Sequence, residues 1–217
     1  PTTLIMPAVR RVELAAVARR CGVAILEDDP YGRLPATAPP SFLSIAPDVT
    51  YHVATLSKCI SPFLRTAFLA APTAADLDRV AAHLRQLTLM AAPLMTGLAA
   101  EWIRSGVADE IVAGVRAETA ARQRLAASIL SVPPRVDDAG LHIWLPLAQG
   151  RTAAVLEAAR RKSLAVSGGA EFAVGDGAPD AMRIALGAVA SRDKLAEALG
   201  SLAAILRAGP DRPETLV

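Results

Sequence analysis

Lysine is almost missing from this sequence: three lysines stand against twenty arginines. One of the three, Lys58, lies at the end of an apolar run in TLSKCISPFLRTAF, residues 55–68. Cysteine is equally scarce. Cys21 and Cys59 are too few and too unpatterned for a disulfide framework or a zinc site, so a reducing, cytoplasmic setting is expected. Aromatic residues make up 4% of the chain, which leaves the core to Leu, Val, Ile and Ala and favours helices. No long apolar run is present. The uncharged stretch at residues 86–100 is shorter than a membrane span and is interrupted by Pro93 and Gly97, so no membrane partner is expected. The opening PTTLIMPAVRR lacks the charged region and apolar stretch of a signal peptide. Nor is there an excess of one charge. The net charge is +2 with basic residues spread along the chain, giving no electrostatic case for nucleic-acid binding by this segment.

What is present is ample core material, with 53% hydrophobic and 20% charged residues, enough for one large domain or two small ones. PAVRRVELAAVARRC reads as a helix, with Pro7 suited to its first position and Gly22 just past its end. VAILED suits a strand buried on both faces. DDPYGRLPATAPP is loop, and YHVATL a second buried strand. After Pro72, Thr73 with Asp76 three residues on forms an N-terminal capping pattern. Helix then continues, with a break near Pro93. A further helix is expected from Ala108 to about Leu130, ended by Pro133 and Pro134. Beyond it, GLHIWLPL, LAVSGG and AMRIALGAV read as strands, TAAVLEAARRKS and SRDKLAEALGSLAAIL as helices, and RAGPDRPETLV as a polar tail. A boundary near residue 107 separates a helix-and-buried-strand part from a small α+β part.

In parallel α/β sheets, functional groups collect outside the carboxyl ends of the strands. The first strand delivers Asp28 and Tyr31 there; the second delivers Thr55, Ser57 and Lys58, with Arg65 seven residues beyond the lysine. Each alone has an ordinary explanation as a loop or surface residue. Together they bring a carboxylate, a phenol, hydroxyls, an amine and a guanidinium to one crevice. His142 and Trp144 alternate with Leu141, Ile143 and Leu145 and read as half-buried packing. His52 and His83 show no metal-ligand spacing, and no metal is expected.

AILEDDPYGRL followed by YHVATLSKCISPFLRTAFLAAP resembles the pyridoxal-phosphate lysine region of fold-type I, class I/II aminotransferases. That family's pattern is a strand ending Asp-x-x-Tyr, then Ser/Thr-x-Ser-Lys, then Pro-x-x-Arg. The resemblance continues through GLHIWLPL to AMRIALGAV. It implies an α/β fold, with residues 1–107 the C-terminal part of the large PLP-binding domain and residues 108–217 a small C-terminal α+β domain. It implies pyridoxal 5'-phosphate as cofactor, with Lys58 forming the Schiff base. A Schiff base needs an amine that can shed its proton, and arginine does not deprotonate in proteins, which accounts for the retained lysine. Asp28 is implied at the pyridine nitrogen, Tyr31 at the phenolic oxygen, and Thr55, Ser57 and Arg65 at the phosphate. Arg183 matches the arginine that grips a substrate α-carboxylate. Two departures stand out. Gly168 occupies the usual proline of the turn in VSGGAEF, and Ala67 the usual glycine after the phosphate arginine.

The chain opens on Pro1 rather than Met, and its opening resembles the stretch just after the family's Asn-Pro-Thr asparagine. It is therefore expected to be the C-terminal half of a longer product, the glycine-rich phosphate cup and the stacking aromatic lying before residue 1. Two function classes stay open. The first is the effector domain of a MocR-type regulator of the GntR family, which LEDDPYG, TLSKCISPFLRTAF and the segment at residues 90–127 all resemble. DNA would then be bound only through a missing N-terminal domain. The second is a free-standing aminotransferase acting between an amino acid and a 2-oxo acid. A fragment with only a structural role is the remaining option. In either of the first two, an amino acid or 2-oxo acid is the expected small-molecule partner and a homodimer the expected assembly.

Overall fold

Helix ends in this chain follow local chemistry. The computed structural model describes residues 1–132, 140–175 and 177–208. Helix α1 spans Ala8–Cys21, with Pro7 as its N-cap residue and Gly22 in the left-handed region at φ 64° past its end, the conformation that glycine adopts without a Cβ penalty. Helix α3 (Ala74–Thr88) opens where Thr73 Oγ1 accepts the Asp76 N–H, as the capping pattern predicts. Helix α4 (Pro93–Ser105) starts with Pro93 at its first position, and α5 runs over Val107–Leu130. The expected stop at Pro133 and Pro134 and most of the polar tail lie outside the described residues.

The chain divides into two compact units, residues 5–117 and residues 118 onward together with residues 1–4. The compositional boundary at residue 107 falls at the first residue of α5, whereas the division between units falls within that helix.

The unit of residues 5–117 is built on a three-stranded sheet in the order β1 (Ile25–Asp29), β2 (Thr50–Thr55), β3 (Ala67–Ala70). β1 and β2 are parallel and β2 and β3 antiparallel. Side chains alternate across a strand, so Ile25, Glu27, Thr50 and His52 face one side and Leu26, Asp28, Val53 and Thr55 the other. On the first side lie α1 and the single turn α2 (Phe42–Ile45), where Ala15, Phe42 and Ala46 form a small core. Glu27 accepts a hydrogen bond there from Arg11 Nη1 (2.9 Å) and meets His52 Nδ1 at 2.8 Å.

Within these residues the opposite side of β1 is uncovered. Leu26 is 73% exposed and Asp28 is exposed, because α1 and α2 cover only the Glu27 side. An apolar run such as VAILE looks the same in sequence whichever element covers each face. β3 and α2 were also not anticipated.

The second unit holds a sheet of order β4 (His142–Pro146), β6 (Ala181–Ala185), β5 (Ser167–Gly168). Helices α6 (Thr152–Arg161) and α7 (Arg192–Arg207) pack with it around Val155, Ala159, Met182, Ile184, Leu195, Leu199 and Leu202. The strand expected over LAVSGG is reduced to Ser167–Gly168. Arg122 of α5, 8% exposed, donates to the Leu186, Val189 and Ala190 carbonyls that follow β6. Among the described residues no helix is long and apolar enough to cross a membrane.

Candidate functional site

Asp28 stands beside Val53 in the parallel β1–β2 pairing, and Thr55 is two residues further along β2. Paired residues on neighbouring strands share a face. Asp28 and Thr55 therefore lie on the same side of the sheet, toward the carboxyl ends of two adjacent parallel strands. The structure brings these two sequence candidates together.

The segment from 56 to 66 is a closed loop. Leu56 N–H donates to the Thr66 carbonyl at 3.1 Å, and the Leu56 carbonyl accepts from Ile60 and Ser61, both at 3.0 Å. Inside the loop, burial sorts the side chains. Leu56, Cys59, Leu64 and Thr66 are buried, while Lys58, Phe63 and Arg65 are exposed. The apolar anchors thus present the amine and the guanidinium to solvent from one loop. A 3-10 turn, Pro62–Leu64, begins where Ser61 Oγ accepts the Phe63 N–H, and α4 packs against it. Arg65 ends that turn in the left-handed region at φ 47°, a conformation uncommon for a non-glycine residue.

Hydroxyl geometry adds detail. Thr55 Oγ1 accepts the Ser57 N–H at 3.3 Å, which leaves its O–H to donate elsewhere. Cys59 is 2% exposed, with its Sγ directed to the Thr55 carbonyl at 3.6 Å. Burial pushes the Cys59 thiol up, so it is an anchor rather than a nucleophile.

Tyr31 lies on the loop after β1. Its carbonyl accepts the Leu34 N–H at 2.8 Å, and Leu34 is 2% exposed. Gly32 lies so close to the Asp29 carboxylate that a Cβ there would come within 1.9 Å of Oδ2.

Arg183 belongs to the other unit. It occupies β6, the central strand, paired with Trp144 and Ser167. Its guanidinium lies over the Phe172 ring, 4.8 Å from the centroid, and that ring meets Trp144 edge-on at 5.8 Å. Among the described residues no carboxylate forms an ion pair with it. Trp144 is half-buried, as its alternation in the sequence predicts, and stands opposite Arg183 in the sheet. Gly168 donates its N–H to Glu171 Oε1 at 2.8 Å, a bond that proline could not make. The departure from proline thus has a local reason.

These groups fit a phosphorylated pyridine aldehyde by their chemistry. There is a carboxylate for a protonated ring nitrogen, an exposed primary amine, a guanidinium and two hydroxyls for a phosphate. Sequence reasoning missed Arg116, whose guanidinium binds the carbonyls of Arg33 and Leu34, and Arg122. Nothing local distinguishes either from the other arginines.

No protein-family model matches the chain. In sequence it is 27% identical over 209 residues to the uncharacterized HTH-type transcriptional regulator YdeF of Bacillus subtilis (strain 168), covering 95% of this chain and 45% of that protein. It is 29% identical over 156 residues to YdfD, another such regulator of the same organism, covering 68% of this chain and 32% of that protein. The chain therefore spans less than half the length of these curated relatives. In structure it is similar to LysN, the alpha-aminoadipate aminotransferase of Thermus thermophilus, complexed with N-(5'-phosphopyridoxyl)-L-leucine. The TM-score is 0.85 at 24% identity, covering 96% of this chain and 56% of that one. The kynurenine aminotransferase of Pyrococcus horikoshii, in complex with PMP, gives a TM-score of 0.83 at 21% identity, with 96% and 54% covered. The fold is thus that of the C-terminal part of an aminotransferase, while the sequence relatives are HTH-type regulators.

Proposed function

We propose that this chain is the pyridoxal 5'-phosphate-binding, aminotransferase-like part of a MocR-type transcriptional regulator. Its DNA-binding domain then belongs to a part of the protein outside these residues. The carrying observation is the placement of Asp28 and Thr55 on one sheet face, at the ends of adjacent parallel strands, with Lys58 and Arg65 exposed from the closed loop that follows. The similarity to HTH-type regulators over 95% of the chain supports the regulatory half of the reading.

Pyridoxal 5'-phosphate, when bound, supplies an electrophilic aldehyde and an electron-withdrawing ring. Toward it, Lys58 offers the nucleophilic amine, a task that an arginine cannot take over. Asp28 accepts a hydrogen bond from the ring nitrogen, and Tyr31 donates to the ring's phenolic oxygen. Arg65 gives the phosphate a charge-assisted contact, and the Thr55 and Ser57 hydroxyls donate to it. Arg183 grips the α-carboxylate of an amino acid or 2-oxo acid through its planar fork. In this reading residues 1–107 belong to the large PLP-binding domain and residues 108–217 to the small α+β domain. The assembly is a cytoplasmic homodimer.

The test uses the full-length protein. With pyridoxal 5'-phosphate and borohydride, peptide mass mapping is expected to find the reduced adduct on Lys58 and none in Lys58→Ala. An undiminished adduct in that variant overturns the assignment. A regulator should also shift DNA from its own upstream region in a cofactor- or amino-acid-dependent way. Ping-pong turnover between an amino donor and a 2-oxo acid, without DNA binding, would make the protein an enzyme instead.

A further inference from the structure

The loop that carries Tyr31 is held from two directions. At one end, Asp29 is paired with Ala54 in the sheet. At the other, the turn closes with Leu34 N–H on the Tyr31 carbonyl, and the Leu34 side chain is buried. The two carbonyls that end the turn are both bound by one side chain. Arg116 Nε donates to Arg33 O at 3.0 Å and Leu34 O at 3.1 Å, and Nη2 donates to Arg33 O at 2.6 Å. A planar guanidinium holding two successive carbonyls fixes the orientation of the intervening peptide plane, which a flexible ammonium does not. Arg33 Nη2 also meets Asp109 Oδ1 at 2.9 Å, an exposed ion pair of small weight beside the Arg116 contacts. Asp109 and Arg116 are seven residues apart on α5, about two turns, and so lie on one helix face. A Cβ at position 32 would run into the Asp29 carboxylate, so the turn is built around a glycine there.

From this geometry we infer that Arg116 is a positioning residue for the cofactor site, acting through the turn at residues 31–34 to hold Tyr31 in place. The inference rests on the reading that Tyr31 meets the cofactor's phenolic oxygen. Arg116 does not itself touch the cofactor. It sets where the phenol-bearing backbone stands, and α5 is the rigid element it acts from.

The experiment is a double-mutant cycle in the full-length protein reconstituted with pyridoxal 5'-phosphate. The readout is the pH midpoint of the bound cofactor's absorbance, with thermal unfolding of the cofactor-free protein as a second measurement. Tyr31→Phe is expected to move the midpoint. Arg116→Gln is expected to move it in the same direction and to weaken cofactor binding about fivefold, the size of one neutral hydrogen bond. In a Tyr31→Phe background, Arg116→Gln should move it no further. Arg116→Lys, which keeps the charge but not the fork, should give a smaller shift that also vanishes in that background. It serves as the test if Arg116→Gln fails to fold. A normal midpoint in both Arg116 variants overturns the inference, as does a shift of equal size with and without the tyrosine hydroxyl. Both outcomes leave the cofactor reading standing. Absence of a borohydride-fixed adduct in the unmodified protein overturns the cofactor reading, and the inference with it. If the adduct forms but Tyr31→Phe leaves the midpoint unmoved, the role of Tyr31 falls, and the inference with it.

Discussion

Arg183 lies over Phe172, the guanidinium carbon 4.8 Å from the ring centroid. A ring face attracts the cation without using up its N–H donors. Phe172 is itself braced edge-on by Trp144. If Arg183 grips an α-carboxylate, the ring holds the guanidinium in place before any ligand arrives.

Phe172→Leu should therefore weaken binding of an amino-acid ligand about two- to fivefold, the worth of an exposed cation–π contact. Arg183→Gln should weaken it far more, by removing the charge-assisted pair. Calorimetric titration of the cofactor-loaded full-length protein with candidate amino acids measures both. Unchanged affinity in Arg183→Gln would remove the carboxylate role.

Glu118 provides a pH prediction. Its carboxylate accepts from Arg192 (2.7 Å) and from Arg122 Nε (2.7 Å), and these hydrogen bonds lower it from 4.5 to about 2. The unfolded chain binds the proton first as pH falls. The contribution is thus complete above about pH 4.5 and is lost as pH drops toward 2. The gap in thermal midpoint between the unmodified protein and Glu118→Gln should be widest above pH 5 and shrink below 4. A gap equally wide at pH 3 and pH 6 would show that the pairing carries no such linkage.

Gly169 is a packing requirement. A Cβ there would lie 2.1 Å from the Pro179 carbonyl oxygen, a backbone atom with little freedom to retreat. Gly169→Ala should cost about 1–3 kcal/mol, as overpacking does, and lower the melting temperature by roughly 2–10 °C. At Gly168 the added Cβ would meet Leu156 Cδ1 at 2.6 Å, the end of a flexible side chain. Gly168→Ala should cost less, and the reverse order in thermal melts would contradict this account.

The two cysteines should differ in reactivity. Cys21 is exposed and Cys59 buried, and burial raises the Cys59 thiol. At neutral pH a thiol-specific disulfide reagent should label Cys59 at least roughly tenfold more slowly than Cys21, until unfolding equalises them. Peptide mapping of a time course reads this directly. Fast labelling of Cys59 in the folded protein would mean that the loop around Lys58 opens readily.

Much of this molecule was legible without coordinates. Gly22 past α1, Thr73 before α3 and Pro93 at the start of α4 act on the few residues beside them, so sequence alone determines them. The sequence also marks Lys58 as one of only three lysines, and the structure leaves it exposed on the loop that follows β2. The ends of β1 and β2 were legible too, and Asp28 and Thr55 share one sheet face there. The tertiary structure decided the rest. Nothing in the residues around Arg116 or Arg122 marks them among twenty arginines. Their roles lie in carbonyls 82–83 and 64–68 residues away in the chain. The same holds for β1, where an apolar run could not reveal that α1 and α2 cover its Glu27 side. Caps and reactive groups are properties of a residue and its neighbours. Which guanidinium meets which carbonyl, and which strand face is covered, depends on segments brought together only when the whole chain folds.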